Sequence, residues 1–166
     1  SAQLLNIAEK TESMADQSGT AADQTFLYQA ALFKKRLGEL LEGRENFKDA
    51  LVSVKAYQSL LDRRPRLKLE HKGIWVDSKA FASERLRVLI LKHSRKVYRD
   101  QDALANRLGN EAITNKSSDS MLAVISRYPV SKISTELRYQ LAQFYNERFL
   151  HSLSTEALED FLSEAP

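Results

Sequence analysis

Residues 36–65, RLGELLEGRENFKDALVSVKAYQSLLDRRP, decide the fold class of this chain. Apolar residues recur at three- and four-residue spacing on both sides of Gly43, which is the pattern of two amphipathic helices. Gly43 is placed to end the first helix, and Asn46 is placed to cap the second. Pro65 prevents the second helix from continuing. The stretch therefore predicts a helix hairpin.

The same spacing extends over most of the chain. It predicts helices over 2–16, 23–43, 46–64, 77–108, 117–128 and 134–150, and a last helix capped by Ser154. We expect Gly109 to end the long helix that starts at Asp77 or Ser78. Short links make neighbouring helices pack antiparallel. The predicted fold class is all-α, with about seven helices in antiparallel hairpins that form either a solenoid or an irregular bundle.

Residues 66–77, RLKLEHKGIWVD, break the helical pattern. Leu67 and Leu69 alternate with charged residues, and Ile74 and Val76 alternate again, as in strands. A short β-hairpin and a structured loop both fit, because two isolated strands are only marginally stable. The single tryptophan, Trp75, lies between Ile74 and Val76, and we expect it to anchor the core rather than to stack on a ligand.

Length and composition bound the class of protein. A chain of 166 residues is most simply one domain, here 1–166, and its first residue, Ser1, suggests a fragment of a larger protein. There are no cysteines, which excludes disulfides and thiolate chemistry. No run of 18 apolar residues occurs, so we expect no transmembrane segment. Cytoplasmic and extracytoplasmic locations are both compatible with this composition.

Two stretches resemble the tetratricopeptide repeat. In residues 36–65, Leu37 and Gly38 fall on the paired Leu-Gly position of that family, and Ala50 on the small residue where the second helix crosses the first. In the second stretch, 137–166, Leu141 and Ala142 suit the paired position. The resemblance implies a solenoid that binds partner proteins and carries no catalysis.

Both stretches also depart from the repeat pattern. Tyr57 stands where a small residue is usual, Pro65 arrives about three residues late, and Ser154 replaces the crossing alanine. If the repeat interpretation holds, first-helix residues around Tyr28 and Lys35, together with Gln143, line a groove for a protein partner.

Charge is distributed unevenly along the chain. Residues 63–99 hold 12 basic and 3 acidic side chains, whereas both flanking segments are mildly acidic. The candidate residues for an anionic partner are Arg63, Arg64, Arg66, Lys68, Lys72, Lys92, Arg95, Lys96 and Arg99. The last four would share one flank of the predicted long helix. The alternative interpretation is an ordinary solvated helix face, or one neutralised by the acidic segments.

We find no pattern that indicates catalysis. His71, His93 and His151 are far apart, and no cysteine or histidine pair has the spacing of a zinc site. We therefore expect no catalytic residues, metal or cofactor. The leading hypothesis is a non-enzymatic helical scaffold or adaptor domain that binds another protein. The alternatives are a binder of nucleic acid or anionic surfaces through 63–99, and an extracytoplasmic sensor domain of a membrane receptor.

Overall fold

A computed structural model of the chain describes residues 21–44, 46–62 and 67–164. The helices in these ranges are α1 (Ala21–Glu42), α2 (Phe47–Leu61), α3 (Ser78–His93), α4 (Arg99–Thr114), α5 (Ser118–Arg127), α6 (Lys132–Glu147) and α7 (His151–Glu164). A 3₁₀ turn spans Arg95–Tyr98, and the strands are β1 (Lys68–His71) and β2 (Ile74–Asp77). The predicted all-α class is confirmed. The helix predicted over 2–16 lies outside the described residues.

Packing divides the chain into two compact units, with the boundary between Tyr98 and Arg99. The N-terminal unit contains α1, α2, the two strands, α3 and the 3₁₀ turn. The C-terminal unit contains α4 to α7. The single domain expected from the chain length stays a prediction.

In the N-terminal unit, α1 and α2 form the predicted helix hairpin and cross closely at Gly38. A Cβ atom on Gly38 would lie 2.5 Å from Cε1 of Tyr57, so only glycine allows this approach. The Ser53 hydroxyl donates to the Gly38 carbonyl at 3.2 Å. Asn46 caps α2 by accepting from the Asp49 amide, which confirms the predicted helix start.

Residues 68–77 form a β-hairpin rather than a loop. The strands are antiparallel, with Leu69 opposite Val76 and Glu70 opposite Trp75. The connecting residues, Lys72 and Gly73, have φ values of 51° and 82°. Two positive φ values in a two-residue connection are what a type I′ turn requires, and its twist matches that of the strands. Leu69 is buried, so one side of the hairpin is fixed against the unit.

The single long helix predicted over 77–108 is wrong. Asp77 caps α3 as expected, but α3 ends at His93 because Ser94 has a φ of 65°. The chain continues through the 3₁₀ turn, whose Val97 and Tyr98 are buried. The Tyr98 hydroxyl donates to Oε1 of Gln58 on α2 at 2.8 Å. Tertiary packing therefore breaks a stretch that has helical periodicity throughout.

In the C-terminal unit, α6 packs against both α4 and α5, and α7 packs against α6. The predicted helix end at Gly109 is wrong, because α4 continues to Thr114 and Gly109 is buried within it. A Cβ atom on Gly109 would lie 2.6 Å from Cγ1 of Ile133. This glycine permits a close crossing of α4 and α6. The surrounding core contains Ala105, Ala112, Met121, Val124, Tyr128, Ile133, Leu137 and Leu141.

Ser154 does not cap the last helix as predicted. The helix α7 begins at His151, and Ser154 is buried inside it. Its hydroxyl donates to the Ala142 carbonyl on α6 at 3.0 Å. The α1/α2 hairpin has the same kind of contact, from Ser53 to Gly38. In each hairpin, a serine on the second helix ties it to a carbonyl of the first.

The two hairpins of the C-terminal unit, α4/α5 and α6/α7, repeat at a constant interval. Their first helices begin at Arg99 and Lys132 and end at Thr114 and Glu147, and their second helices begin at Ser118 and His151, so each of these boundaries recurs 33 residues later. The interval is close to the roughly 34-residue period of tetratricopeptide repeats.

The turns inside these hairpins also correspond. Lys116 and Phe149 have positive φ values of 48° and 61°. After α6, the amide of Leu150 donates to the Tyr145 carbonyl at 2.9 Å, and that of Phe149 to Asn146 at 3.0 Å. This pair of bonds defines a Schellman motif. The equivalent pair follows α4, 33 residues earlier.

Candidate functional site

The predicted basic residues do not form one helical flank. Arg63, Arg64 and Arg66 lie outside the described residues. The remaining six are Lys68 and Lys72 on the β-hairpin, Lys92 on α3, Arg95 and Lys96 in the 3₁₀ turn, and Arg99 at the start of α4. The shared flank predicted for the last four is wrong, because α3 ends at His93 and the helical register is lost.

The three predicted groove residues have different surroundings. Tyr28 and Lys35 lie on α1 in the N-terminal unit, whereas Gln143 lies on α6 in the C-terminal unit. Gln143 is exposed and donates to the Tyr139 hydroxyl at 2.9 Å. Lys35 is only 5% exposed, so its side chain contributes little to the surface of the unit. The groove stays a prediction.

Lys35 belongs to a cluster of polar and aromatic side chains inside the N-terminal unit. Its ammonium donates to both carboxylate oxygens of Glu39 at 3.0 Å and lies 5.1 Å from the centre of the Phe81 ring. His71 on β1 contacts the same carboxylate, with 3.1 Å between Nδ1 and Oε1 of Glu39. Its ring centre is 4.9 Å from that of Phe81. The cluster therefore joins α1, β1 and α3.

A second polar cluster lies close by, around the buried carboxylate of Glu42. The Arg85 guanidinium donates to both oxygens of this carboxylate, with Nε at 3.0 Å from Oε2. The Tyr57 hydroxyl donates to Oε2 at 3.1 Å. Burial, followed by the negative charge of Glu42, raises the pKa of Tyr57 above its ordinary value. The phenol therefore stays protonated in the folded protein.

Arg85 responds to the same environment in the opposite way. Burial lowers the pKa of Arg85, but the hydrogen bonds and negative charge of Glu42 outweigh this and leave the pKa above its usual value. A permanently charged guanidinium and a neutral phenol thus satisfy one buried carboxylate. This arrangement fixes α1 to α3 and leaves no proton to transfer near neutral pH, so it supports packing rather than acid–base chemistry.

The largest departure from the sequence predictions is a set of exposed apolar side chains, which we call the hairpin patch: Tyr28, Ile74 and Trp75. Ile74 and Trp75 are 62% and 63% exposed. The Trp75 ring centre lies 6.5 Å from that of Tyr28 on α1. The prediction that Trp75 anchors the core is wrong, because successive residues of a strand point to opposite faces. Leu69 and Val76 form a pair on one face, so Trp75 and Glu70 are on the other.

The C-terminal unit contains a pocket of about 290 Å³ between α4 and α5. Its floor is apolar and comprises Leu108, Ala112, Val124 and Tyr128. Polar residues around it are Glu111, Asn115, Ser120 and Arg127. The guanidinium carbon of Arg127 lies 5.5 Å from the centre of the Tyr128 ring. Sequence reasoning missed this pocket, because the small side chains that leave the space also fit an ordinary helix surface.

No group of three or more histidine or acidic side chains is arranged for a metal ion within the described ranges. Among the helices that the structure describes, none has the length and apolarity needed to cross a bilayer. Comparisons with protein-family models, curated proteins and solved structures find no match to this chain.

Proposed function

We propose that this chain is a non-enzymatic helical interaction domain, a scaffold or adaptor that binds another protein. The hairpin patch carries the proposal. Its two largest exposed side chains, Ile74 and Trp75, are adjacent and more than 60% exposed. Water contact with such surface is unfavourable by roughly 25 cal/mol per Å², and a partner would remove it. Tryptophan is also among the residues most enriched at the energetic centres of protein interfaces.

The support of the patch suits a binding role. The type I′ turn and the buried Leu69 hold the hairpin in one conformation. His71, next to that turn, is held by Glu39 and Phe81. Trp75 is therefore presented on a rigid element, and little conformational entropy would be lost when a partner binds.

The helical hairpins give independent support to the interaction role. The resemblance of residues 36–65 to a tetratricopeptide repeat implies a protein-binding solenoid. The close crossing at Gly38 and the 33-residue interval between the later hairpins agree with stacked helical repeats. We propose this repeat relationship on those two observations.

The proposal can be tested with a crosslinking amino acid. Benzoylphenylalanine replaces Trp75, the labelled chain is irradiated in an extract of its cells of origin, and the crosslinked protein is identified and purified. Calorimetry then measures its binding to the unmodified chain and to Trp75→Ala. We expect at least a 30-fold increase in Kd for Trp75→Ala, as for an interface centre worth about 2 kcal/mol.

Leu91→Ala is the matched control, because Leu91 is itself 85% exposed and lies on α3 rather than on the hairpin. Its Kd should stay within twofold of the unsubstituted chain. Circular dichroism melting of both variants checks that each is folded. Equal binding by Trp75→Ala and the unsubstituted chain would reject the hairpin patch as the interaction site.

One observation favours a second function, the binding of nucleic acid or another polyanion. Trp75 is exposed and shares its hairpin with Lys68 and Lys72, both exposed. Exposed aromatics beside basic residues are the features that single-stranded nucleic acid requires. Binding of an oligo-dT strand should then weaken about tenfold or more between 50 and 200 mM salt and be lost in Lys68→Glu/Lys72→Glu. A salt-independent affinity would discard this function.

A further inference from the structure

The pocket between α4 and α5 has the size of one side chain. Its volume of about 290 Å³ is below the roughly 300–1,000 Å³ of sites that enclose drug-sized ligands. The floor residues Ala112, Val124 and Tyr128 are buried, whereas Glu111 and Asn115 are exposed at the rim. An apolar floor with a polar rim suits the anchor residue of a peptide better than a free cofactor.

The second hairpin shows which side chains occupy the equivalent positions. The 33-residue interval relates Glu111, Asn115 and Ser120 to Phe144, Arg148 and Leu153. Phe144 and Arg148 interact directly, with the guanidinium carbon 3.5 Å from the ring centre. Thus the α6/α7 hairpin carries an aromatic ring and a cation at positions where the α4/α5 hairpin carries small or acidic residues.

The charges around the pocket complement such a pair. Glu111 has no counterpart charge at the equivalent position of the second hairpin, where Phe144 stands. Its carboxylate can attract a basic residue of a ligand. Arg127 already faces the Tyr128 ring, so a second ring in the pocket would lie near a guanidinium, as Phe144 does in the second hairpin. Guanidinium groups favour aromatic over aliphatic side chains as neighbours.

We propose that this pocket binds an aromatic side chain of a partner's peptide segment that carries a basic residue one helical turn away. The aromatic ring lies on Ala112, Val124 and Tyr128, and the basic residue pairs with Glu111. The ligand thereby reproduces, in the first hairpin, the contact that Phe144 and Arg148 make in the second. This inference rests on the proposed function, because it assigns a second contact site for a protein partner.

The probe is the peptide acetyl-Ala-Phe-Ala-Ala-Ala-Arg-Ala-amide, titrated into the ¹⁵N-labelled full chain and followed by NMR. We expect saturable shifts of the amides of Ala112, Val124 and Tyr128. A peptide with Ala in place of Phe should give none, and one with Glu in place of Arg should bind at least fivefold more weakly. Equal shifts with all three peptides, or shifts confined to other helices, would overturn the proposal.

A filled-pocket variant tests the location. Glu111→Phe/Asn115→Arg installs the pair of the second hairpin, and it should abolish the shifts and leave the melting temperature unchanged or higher. Ala123→Leu, a smaller filling of the same pocket, should weaken binding if the double variant does not fold. Asn110→Phe adds a ring on α4 outside the pocket lining and should bind normally. Unaltered binding by Ala123→Leu would contradict the proposal.

A second copy of the chain is the competing occupant, because Phe149 is 81% exposed. Shifts of the pocket amides that grow with protein concentration alone, and vanish in Phe149→Ala, would assign the pocket to self-association and overturn the peptide proposal. Failure of the peptide titration with Trp75-dependent partner binding intact rejects the pocket only. Loss of Trp75-dependent binding rejects the proposed function itself.

Discussion

The guanidinium of Arg85 binds the carboxylate of Glu42 and joins α3 to α1, although 43 positions separate the two residues. Glu42 is 7% exposed, whereas the Arg85 side chain retains 30% of its surface in water. The pair is therefore buried at its acidic end and partly solvated at its basic end. This asymmetry determines what removal of each partner should do.

Arg85→Met should lower the free energy of unfolding by about 2 kcal/mol. It leaves a buried carboxylate with the Tyr57 hydroxyl as its remaining contact among those described here, and the partial exposure of Arg85 keeps the cost below that of a fully buried pair. Urea denaturation at neutral pH measures the change. The control is Arg87→Met, an exposed position on the same helix, which should change stability by less than 0.5 kcal/mol. Equal effects of the two variants would contradict the structural role of Arg85.

Stability should fall above about pH 10, in part because of Tyr57. Burial and the charge of Glu42 raise the pKa of Tyr57 in the folded state, whereas the unfolded phenol titrates near 10. The stabilisation is therefore complete below pH 10 and is lost as the pH rises from there towards the folded-state pKa. Between pH 9 and pH 11, the unsubstituted chain should lose about 1.4 kcal/mol more than Tyr57→Phe. Parallel pH profiles from urea denaturation would refute this.

Gly38→Ala should destabilise the N-terminal unit by about 1–3 kcal/mol. The added methyl would approach the Tyr57 ring to 2.5 Å, and this overpacking outweighs the better helix propensity of alanine. Gly43→Ala is the matched control, because its Cβ would meet the Leu40 carbonyl oxygen at an ordinary 3.6 Å. Thermal melting should separate the two variants by several degrees. Gly38→Ala with the stability of Gly43→Ala would mean that the helices do not cross there.

Phe149→Gly should stabilise the chain by about 0.5–1 kcal/mol. Phe149 has a φ of 61°, which favours glycine, and its exposed ring offers little packing in compensation. Asn146→Gly, in the last turn of α6 with helical backbone, should instead lower the stability. Both are measured by urea denaturation. If Phe149→Gly is less stable than the unsubstituted chain, the ring must make packing contacts in solution.

Where local signals determine an element, the sequence predicted it well. Asn46 and Asp77 both cap the helices that follow them, because a side-chain oxygen can reach backbone amides two or three residues ahead without help from the rest of the fold. Helix hairpins follow equally from short links between amphipathic segments.

Non-local packing explains what was missed. Nothing around Ser94 resembles a helix break, since neither glycine nor proline is near, and the break follows from burying Val97 and Tyr98 against α2. Ser154 resembles a cap by residue type, but its hydroxyl has a carbonyl partner on another helix. For Trp75 a usable signal existed, because strand alternation alone places it on the face opposite to Val76.

The succession of neighbouring contacts in the C-terminal unit has a kinetic consequence. Each helix from α4 to α7 packs against the one that follows it in the chain, and α4 reaches no further than α6. Proteins dominated by such local contacts have low contact order and fold within microseconds to milliseconds. During synthesis, α4 and α5 can therefore pair as soon as Arg127 has left the ribosome, before α7 has been translated.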